Sequence, residues 1–478
     1  MSVSPEKMIC VTKCWHMCSV RFYLLACACF FLLSACSPGP EYTHPDIPVP
    51  PSWSVKPADG PQWPSQEWWR GFSSPELNNL MLKARQTNDD IIAAIARVKE
   101  ADADARIAGA ALLPQVSGSV AVSRERQPVS GSDVYSTYTQ YYSALNASYE
   151  IDFWGKNRAT SEAAKSLATA SRFDRETIEL SVETSVASLY FQALELHDRI
   201  AIAENSLKNA QSILAGLRAE ETAGTATDID VLQQEIVVEQ LGAALSPLRQ
   251  QLRQTLDALA VLTGQNPEKI EAPQSSLADL REPPVRPGLP SELLFRRPDV
   301  ASSEAQLIAA NANIKAARAA FFPSIDLTAN GGYISTALSS ALNASSGVFV
   351  LGAAVTQPIF EGGALKGQLE FSNARYEELL ANYHKTVIGA FSNVEDSLVA
   401  IQQTQEQQRR QQDAVVKAER TYRFTLEQFH AGTVNILTVL NVQNALFSVK
   451  DALAQTHLLH LQAVLGLINA LGGGWQKE

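Results

Sequence analysis

The chain has 478 residues, of which 46% are hydrophobic and 19% charged, and its formal net charge at pH 7 is −11. An acidic chain lacks the basic surface that nucleic-acid binding requires, which excludes that class of partner. All six cysteines lie within the first 36 residues, so the sequence excludes a disulfide framework and a thiolate metal site from the remainder of the chain.

The N-terminus has the pattern of a secretory signal. The basic residues Lys13 and Arg21 precede an apolar run from Phe22 to Leu33 that is too short to span a bilayer comfortably. The sequence Leu-Ser-Ala-Cys that ends at Cys36 resembles a bacterial lipobox. This resemblance implies a lipoprotein signal peptide over residues 1–35, cleavage before Cys36 and lipid on its sulfur.

A lipid-anchored strap is predicted over residues 36–73. Nine prolines between positions 38 and 64 indicate an extended segment and exclude a helix. We expect Trp68, Trp69 and Phe72, which follow the prolines, to dock this strap on the body of the protein.

The first of two similar units spans residues 74–266. Apolar residues at helical spacing predict a helix from near Ser74 to Ala111, which Pro114 ends. Alternating apolar and polar residues then predict a β-hairpin. A proline-free stretch with apolar residues every three or four positions predicts a long helix, and a return helix follows it. The predicted bounds are 115–153 for the hairpin, 156–220 for the long helix and 228–263 for the return helix.

A proline-rich linker at 267–292 leads into the second unit, which repeats the same order over residues 293–470. The last strand of this unit is apolar on both faces, so the sequence does not assign its orientation. The predicted parts are a helix, a β-hairpin over 324–358, a long helix over 364–429, a return helix over 435–470 and a tail over 471–478.

Matching segments show that the two units are copies. The triplet Ala-Gly-Thr occurs at 223–225 and again at 431–433, about 208 residues later, in each case where a long helix should end. Because a repeat at a fixed offset is typical of a duplicated unit, we predict internal pseudo-symmetry.

Four amphipathic strands of about ten residues match one membrane crossing each but cannot close a barrel, and open sheet edges are not tolerated in lipid. Two chains would give eight strands and a filled lumen, whereas three would give twelve strands and a wide one. The predicted fold class is therefore α with membrane β: a duplicated unit with four strands and long coiled-coil helices per chain, assembled as an oligomer in which the helices continue the lumen.

Short motifs spread over the chain after Cys36 resemble the TolC-like outer-membrane factors, in the lipoprotein branch that includes OprM and NodT. They follow each other at the spacing of that family. The motifs are Gly39-Pro40-Glu41-Tyr42, Trp68-Trp69, Leu113-Pro114, Tyr149-Glu150-Ile151-Asp152-Phe153-Trp154-Gly155-Lys156, Arg296-Arg297-Pro298-Asp299, Phe321-Phe322-Pro323, Gln357-Pro358-Ile359-Phe360 and Gly472-Gly473-Gly474-Trp475.

The resemblance implies a homotrimer with a twelve-stranded β-barrel in the lipid of the outer membrane and an α-helical barrel in the periplasm. It implies an exit duct of a tripartite efflux pump, with a periplasmic membrane-fusion adaptor and a proton-driven or ABC-type inner-membrane pump as partners. Two other functions stay open: an export duct for a secreted polypeptide, and a non-conducting lipoprotein that bridges the periplasm.

The turns between long and return helices are candidate adaptor contacts. By resemblance, the residues that meet the adaptor are Gly224, Thr225, Thr227, Asp228, Gly432, Thr433 and Asn435. Turn geometry explains the two glycines equally well, because a glycine suits a helix C-terminus and Thr227, Asp228 or Asn435 suits the next N-cap.

A candidate periplasmic gate lies in the last turns of the second long helix, at Val415, Glu419, Arg420 and Arg423. Val415, Glu419 and Arg423 are four residues apart and share a helix face. Three-fold symmetry would bring three copies of Glu419 together, at a cost unless Arg420 or Arg423 pairs with them. An ordinary solvated charged face is the alternative.

No catalytic or cofactor motif is found, and an enzyme is not predicted. His457 and His460 are one turn apart on the last helix, but the sequence suggests no third ligand, so we predict that both are solvated rather than bound to metal.

Overall fold

The computed structural model describes residues 39–55, 62–128, 130–131 and 133–476. The predicted signal peptide and the predicted lipid attachment site, Cys36, lie outside these residues. The chain divides into two compact units, each of which takes equivalent parts from both copies of the repeat. The strand unit comprises Met1–His44, Ala101–Ala168 and Gln306–Leu380, and the helical unit comprises Pro45–Glu100, Thr169–Ala305 and Ala381–Glu478.

The strand unit contains one antiparallel sheet of four strands in the order β1-β2-β3-β4. Pro114 precedes the first strand and Pro323 precedes the third, so these two strands begin where a helix is forced to end. The strands are β1 Gln115–Pro128, β2 Tyr135–Glu150, β3 Ser324–Ser335 and β4 Gly347–Thr356.

Seven α-helices of more than one turn are found among the described residues. They are α1 Pro75–Thr87, α2 Asp89–Ala110, α3 Lys156–Thr222, α4 Asp228–Leu262, α5 Pro298–Ala319, α6 Ala364–His430 and α7 Ile436–Ala470. Both α3 and α6 have 67 residues, and both α4 and α7 have 35, as expected of a duplicated chain. Within the described ranges, no helix has the length and apolar character needed to span a bilayer.

The single helix predicted from Ser74 to Ala111 is wrong, because Asn88 divides it into α1 and α2. Asn88 has an extended backbone, with φ −70° and ψ 126°. Its side-chain oxygen accepts hydrogen bonds from the backbone N–H groups of Asp90 and Ile91, and its Nδ2 donates to the carbonyl of Leu262. The asparagine thus caps the second helix while it is held by the end of α4.

Aromatic side chains that precede α1 pack into the core of the helical unit. Trp68, Trp69 and Phe72 are buried there, and the Phe72 ring lies 4.9 Å from that of Phe191 in α3. Upstream, Trp53 is also buried and donates from its indole nitrogen to the carbonyl of Gly288. The strap is therefore held by an additional aromatic anchor that the sequence analysis did not single out.

Candidate functional site

The sheet of the strand unit has two chemically different faces. Strand register assigns Val116, Leu145, Leu327 and their neighbours on alternate positions to one face, which we call the apolar face. The opposite face, which we call the polar face, carries mainly hydroxyl, amide and carboxylate side chains at the intervening positions. This division follows directly from the period of two in a strand.

The register also gives the orientation of β4, which the sequence could not. Phe349, Leu351 and Val355 pair with residues of β3 that lie on the apolar face, namely Gly331, Ala329 and Ile325. Val350 pairs with Asn330 and therefore lies on the polar face. The larger apolar side chains of β4 thus extend the apolar face across all four strands.

Neutral side chains connect the strands across the polar face. Asn146 donates from Nδ2 to the Ser119 hydroxyl at 3.1 Å, and Asn330 donates to the Tyr142 hydroxyl at 2.8 Å. Asn330 also donates to the side-chain oxygen of Asn146. Amides and hydroxyls make this part of the polar face wettable, and the carboxylates of Glu125, Glu150 and Asp326 lie on the same face towards the strand ends. Such a surface suits the passage of polar solutes.

The two turns at the ends of the long helices, which we call the hairpin tips, have the same geometry. In the first, Gly224 has φ +76°, and its N–H and that of Thr225 donate to the carbonyls of Glu221 and Glu220. In the second, Gly432 has φ +72° and the same pair of bonds is formed by the residues 208 positions later. Both are Schellman endings, which need a left-handed residue at this position.

Threonine in the Ala-Gly-Thr triplet also has a local role. The Thr225 hydroxyl donates to the carbonyl of Glu220, the acceptor of its own N–H, and Thr433 does the same with Gln428. Thr227 rather than Asp228 is the N-cap of α4, where it forms a capping box with Asp230, and Asn435 caps α7.

Two exposed apolar side chains lie at the ends of the predicted tip segments, which run from Thr222 to Ile229 and from Phe429 to Leu437. Ile229 is 65% exposed and Leu437 is 50% exposed, in the first turn of α4 and of α7 respectively. They occupy equivalent positions in the two copies. The sequence itself relates them, because the repeat offset of 208 residues aligns Ile229 with Leu437. Each is the second residue of its helix.

The four candidate gate residues do not form one exposed group. Val415 is buried within the helical unit, whereas Glu419, Arg420 and Arg423 are exposed. Glu419 pairs with Lys450 of α7 at 2.7 Å and not with either arginine. Arg420 and Arg423 both lie over the ring of Phe424, at 5.4 and 5.6 Å from its centroid.

Other motifs singled out in the sequence have structural roles. Arg297 is buried, donates to the carbonyl of Ala470 at the end of α7 and pairs with Asp299 at 2.6 Å. A side chain at Gly472 would collide with the carbonyl of Arg296. The φ of +80° at Gly472 also disfavours any residue with a side chain. The Arg-Arg-Pro-Asp motif therefore docks the C-terminal helix.

The prediction that His460 is solvated is wrong. Its ring is buried between helices, with Nδ1 3.0 Å from the Thr404 hydroxyl and Nε2 3.1 Å from Glu282. Burial and the neighbouring His460 lower the pKa of His457. Among the described residues, no group of three or more potential metal ligands converges.

Comparisons with known proteins agree with these features. A family model described as outer membrane efflux protein matches residues 80–265 and 289–473. The pyoverdine export outer membrane protein OpmQ of Pseudomonas aeruginosa is 37% identical over 473 residues, which cover 96% of this chain and 98% of that relative. The cation efflux system protein CusC of Escherichia coli is 31% identical over 451 residues, which cover 93% and 97%.

Solved structures agree as well. That of CusC has a TM-score of 0.83 at 30% identity and covers 92% of this chain and 100% of its own. The open state of the MtrE outer membrane channel of Neisseria gonorrhoeae has a TM-score of 0.85 at 27% identity, with coverage of 93% and 99%. The family resemblance and the fold class predicted from the sequence are confirmed. The chain belongs to the outer membrane efflux protein family and is an exit duct of an efflux system in the outer membrane.

Proposed function

We propose that three copies of this chain form a passive duct, in which twelve strands enclose a water-filled lumen lined by the polar face. One observation carries the proposal: the sheet has an apolar face, a polar face and, within the described residues, two edge strands that pair on one side only. Unpaired strand edges and a broad apolar face are both unfavourable in water. When neighbouring copies close the sheet in lipid, the edge strands pair with each other and the apolar face contacts acyl chains.

Cysteine cross-linking tests this arrangement, since the chain has no cysteine after Cys36. Pairs are placed with one cysteine in β1, at positions 116–120, and one in β4, at positions 350–354. We expect oxidation to link chains into covalent trimers and planar-bilayer recordings to show ion conductance. A monomer in mild detergent, with no linked pair anywhere in the scan, would contradict the trimer.

We propose lipid attachment at Cys36, on the strength of the Leu-Ser-Ala-Cys sequence and of the strap that follows it. Mass spectrometry of the purified N-terminal peptide is the test. An unmodified cysteine, or cleavage at another position, would contradict the anchor.

We propose that the hairpin tips contact a periplasmic adaptor, which in turn connects the duct to an inner-membrane pump. Ile229 and Leu437 support this, because two exposed apolar side chains at equivalent places in the repeat provide a surface that water alone does not favour. The predicted contact residues are Gly224, Thr225, Thr227, Asp228, Gly432, Thr433 and Asn435. The turn and cap hydrogen bonds in this set fix the backbone just before Ile229 and Leu437.

The test separates contact from folding. Ile229→Asp and Leu437→Asp leave the turn bonds untouched, so the trimer should assemble while efflux and adaptor cross-linking are lost. Ile92→Asp, at an apolar residue of α2 about as exposed as Leu437, is the matched control. Normal cross-linking in both tip variants would exclude the tips as the contact.

We propose that Glu419, Arg420 and Arg423 contribute to the periplasmic gate, with Lys450 as the partner that balances Glu419. Val415 is omitted because it is buried within the chain. Lys450→Gln should raise the resting conductance, because three copies of Glu419 without their lysine partners repel each other. The double variant Lys450→Gln/Glu419→Gln should return to the wild-type conductance. Unchanged resting conductance in Lys450→Gln would remove this pair from the gate.

We propose small molecules as the exported substrates and no catalytic activity for the chain. The relatives support this, since their names describe export of pyoverdine, toluene, antibiotics or cations. Deletion of the gene with measurement of siderophore secretion and of growth on toluene, antibiotics and metal ions is the test. A secretion defect limited to a polypeptide would overturn the substrate class.

A further inference from the structure

We propose that Arg124 and Arg126, near the turn of the β1–β2 hairpin, bind the phosphate groups of acylated headgroups in the outer leaflet of the outer membrane. The inference rests on the proposed function in one respect, namely that the apolar face of the sheet contacts lipid. It adds a binding site of stated chemistry: a phosphorylated, acylated saccharide lipid.

The β1–β2 hairpin projects beyond the rest of the sheet. Pairing between β2 and β3 ends at Tyr141 and Ser335, whereas β1 and β2 stay paired as far as Pro128 and Tyr135. At about 3.4 Å per residue, the projecting part is on the order of 20 Å long. The helices begin at the opposite end of the strands, so this part lies on the side away from the periplasm.

Along β1, the apolar face turns basic at the level where β3 ends. Val116, Val120 and Val122 occupy alternate positions of that face, and Val122 pairs with Tyr141 at the end of the β2–β3 ladder. The next two positions of the same face are Arg124 and Arg126, both exposed. Apolar side chains below and guanidinium groups above match an acyl chain with a phosphate at its head.

The acid between the two arginines points to the other face and is occupied there. Glu125 accepts hydrogen bonds from Gln127 at 3.0 Å and from the Tyr138 hydroxyl at 3.1 Å. Among the described residues, neither arginine forms an ion pair, and the guanidinium of Arg126 lies 4.5 Å from the centroid of the Tyr135 ring, which orients it. Neither guanidinium is therefore engaged by the carboxylate of Glu125, which lies on the other face of the strand.

The neighbouring loop supplies apolar surface at the same level. No charged residue occurs between Leu327 and Phe360, and in the β3–β4 loop Leu338 and Leu342 are 71% and 76% exposed. The Ser335 hydroxyl at the end of β3 holds this loop through the backbone of Ala337. Exposed leucines without adjacent charge favour contact with acyl chains over contact with water.

Two arginines two positions apart on a strand are about 7 Å apart at their backbones, and each guanidinium can bind a phosphate through two parallel hydrogen bonds. Free phosphate offers the same oxygens but no acyl chains. The leucine-bearing loop and the valines of β1 therefore favour the lipid.

The full chain is purified in mild detergent as wild type, as the double variant Arg124→Gln/Arg126→Gln, and as Lys366→Gln, which removes an exposed charge at the start of α6. The probes are a bisphosphorylated, acylated diglucosamine lipid, the same lipid after enzymatic removal of its phosphates, and inorganic phosphate as competitor. Binding is measured by native mass spectrometry and by lipid retained through gel filtration.

We expect wild type and Lys366→Gln to bind the phosphorylated lipid alike, and the double variant to bind it at least about tenfold more weakly. The dephosphorylated lipid should bind wild type as weakly as the phosphorylated lipid binds the double variant. Equal binding by wild type and double variant overturns the inference, and full displacement by inorganic phosphate overturns the lipid as the ligand.

Planar-bilayer conductance of the same preparations separates this result from the proposed duct. Conducting channels with unaltered lipid binding in the double variant would refute the arginine site and leave the duct intact. A non-conducting wild type would refute the duct, while the lipid measurement, made in detergent, is read independently.

Discussion

Arg199 of α3 and Asp451 of α7 form a two-pronged ion pair that joins the two helical hairpins. Nε lies 2.6 Å from one carboxylate oxygen and Nη2 lies 3.2 Å from the other. The same guanidinium contacts Glu195, one turn earlier on α3, whose side chain is only 4% exposed. Burial raises the pKa of Glu195, and Arg199 opposes this effect. One arginine thus stabilises two carboxylates, one of them buried.

This arrangement predicts unequal effects of the two partners. Arg199→Gln should destabilise the helical unit by about 2–4 kcal/mol, since it leaves a buried carboxylate unpaired, whereas Asp451→Asn should cost about 1 kcal/mol. Thermal unfolding of the purified protein measures both. Arg218→Gln, in the exposed pair with Glu235, is the control and should change little. Equal losses for Arg199→Gln and Asp451→Asn would contradict the role assigned to Glu195.

Glycine at the hairpin tips should be required for backbone geometry alone. Gly224→Ala and Gly432→Ala place a side chain in the left-handed region and should each cost about 1–2 kcal/mol locally, although open space surrounds both positions. Amide hydrogen exchange at the tips measures the effect as faster exchange in the last turns of α3 and α6. Gly216→Ala, in the interior of α3 with equally open space, should slow exchange instead.

The long helices and their turns were predictable from the sequence, because they depend on local features: absence of proline, apolar spacing and a glycine at the C-terminus. The interruption at Asn88 was not, since it depends on the carbonyl of Leu262, 174 positions away. The burial of His460 and the Glu419–Lys450 pair also depend on distant parts of the chain. The orientation of β4 required the register with β3, because its own sequence is apolar on both faces.

Glu183 should make the stability of the helical unit depend on pH. Its side chain is 4% exposed, with Arg85 Nε at 2.6 Å, and burial raises its pKa to about 7 in spite of that arginine. Between the unfolded value near 4.5 and about 7, the folded protein keeps a proton that the unfolded chain releases. Stability is therefore lost as pH rises through this window.

Thermal unfolding from pH 4.5 to 8 tests this dependence. Glu183→Gln keeps an acceptor for Arg85 and removes the titration, so its midpoint should fall less than that of wild type as pH rises, and the variant should be the more stable at pH 8. Glu67→Gln, at an exposed carboxylate, should follow the wild-type curve. Parallel curves for Glu183→Gln and wild type would show that this carboxylate is ionised throughout.

Two adjacent glycines in β3 differ in the space around them, which gives a matched test of strand pairing. A side chain at Gly332 would lie 2.0 Å from the carbonyl oxygen of Ser143 and 2.6 Å from Cα of Ala144 in β2, whereas nothing lies within 4 Å of one at Gly331. Both atoms near Gly332 are backbone, so they cannot move aside without separating the strands. We expect Gly332→Ala to disrupt the β2–β3 ladder and to reduce folded protein in outer membranes severalfold, with Gly331→Ala close to wild type. Resistance of the purified protein to heat in detergent measures the remaining folded fraction. Equal resistance of the two variants would mean that β2 and β3 tolerate a wider separation than their register implies.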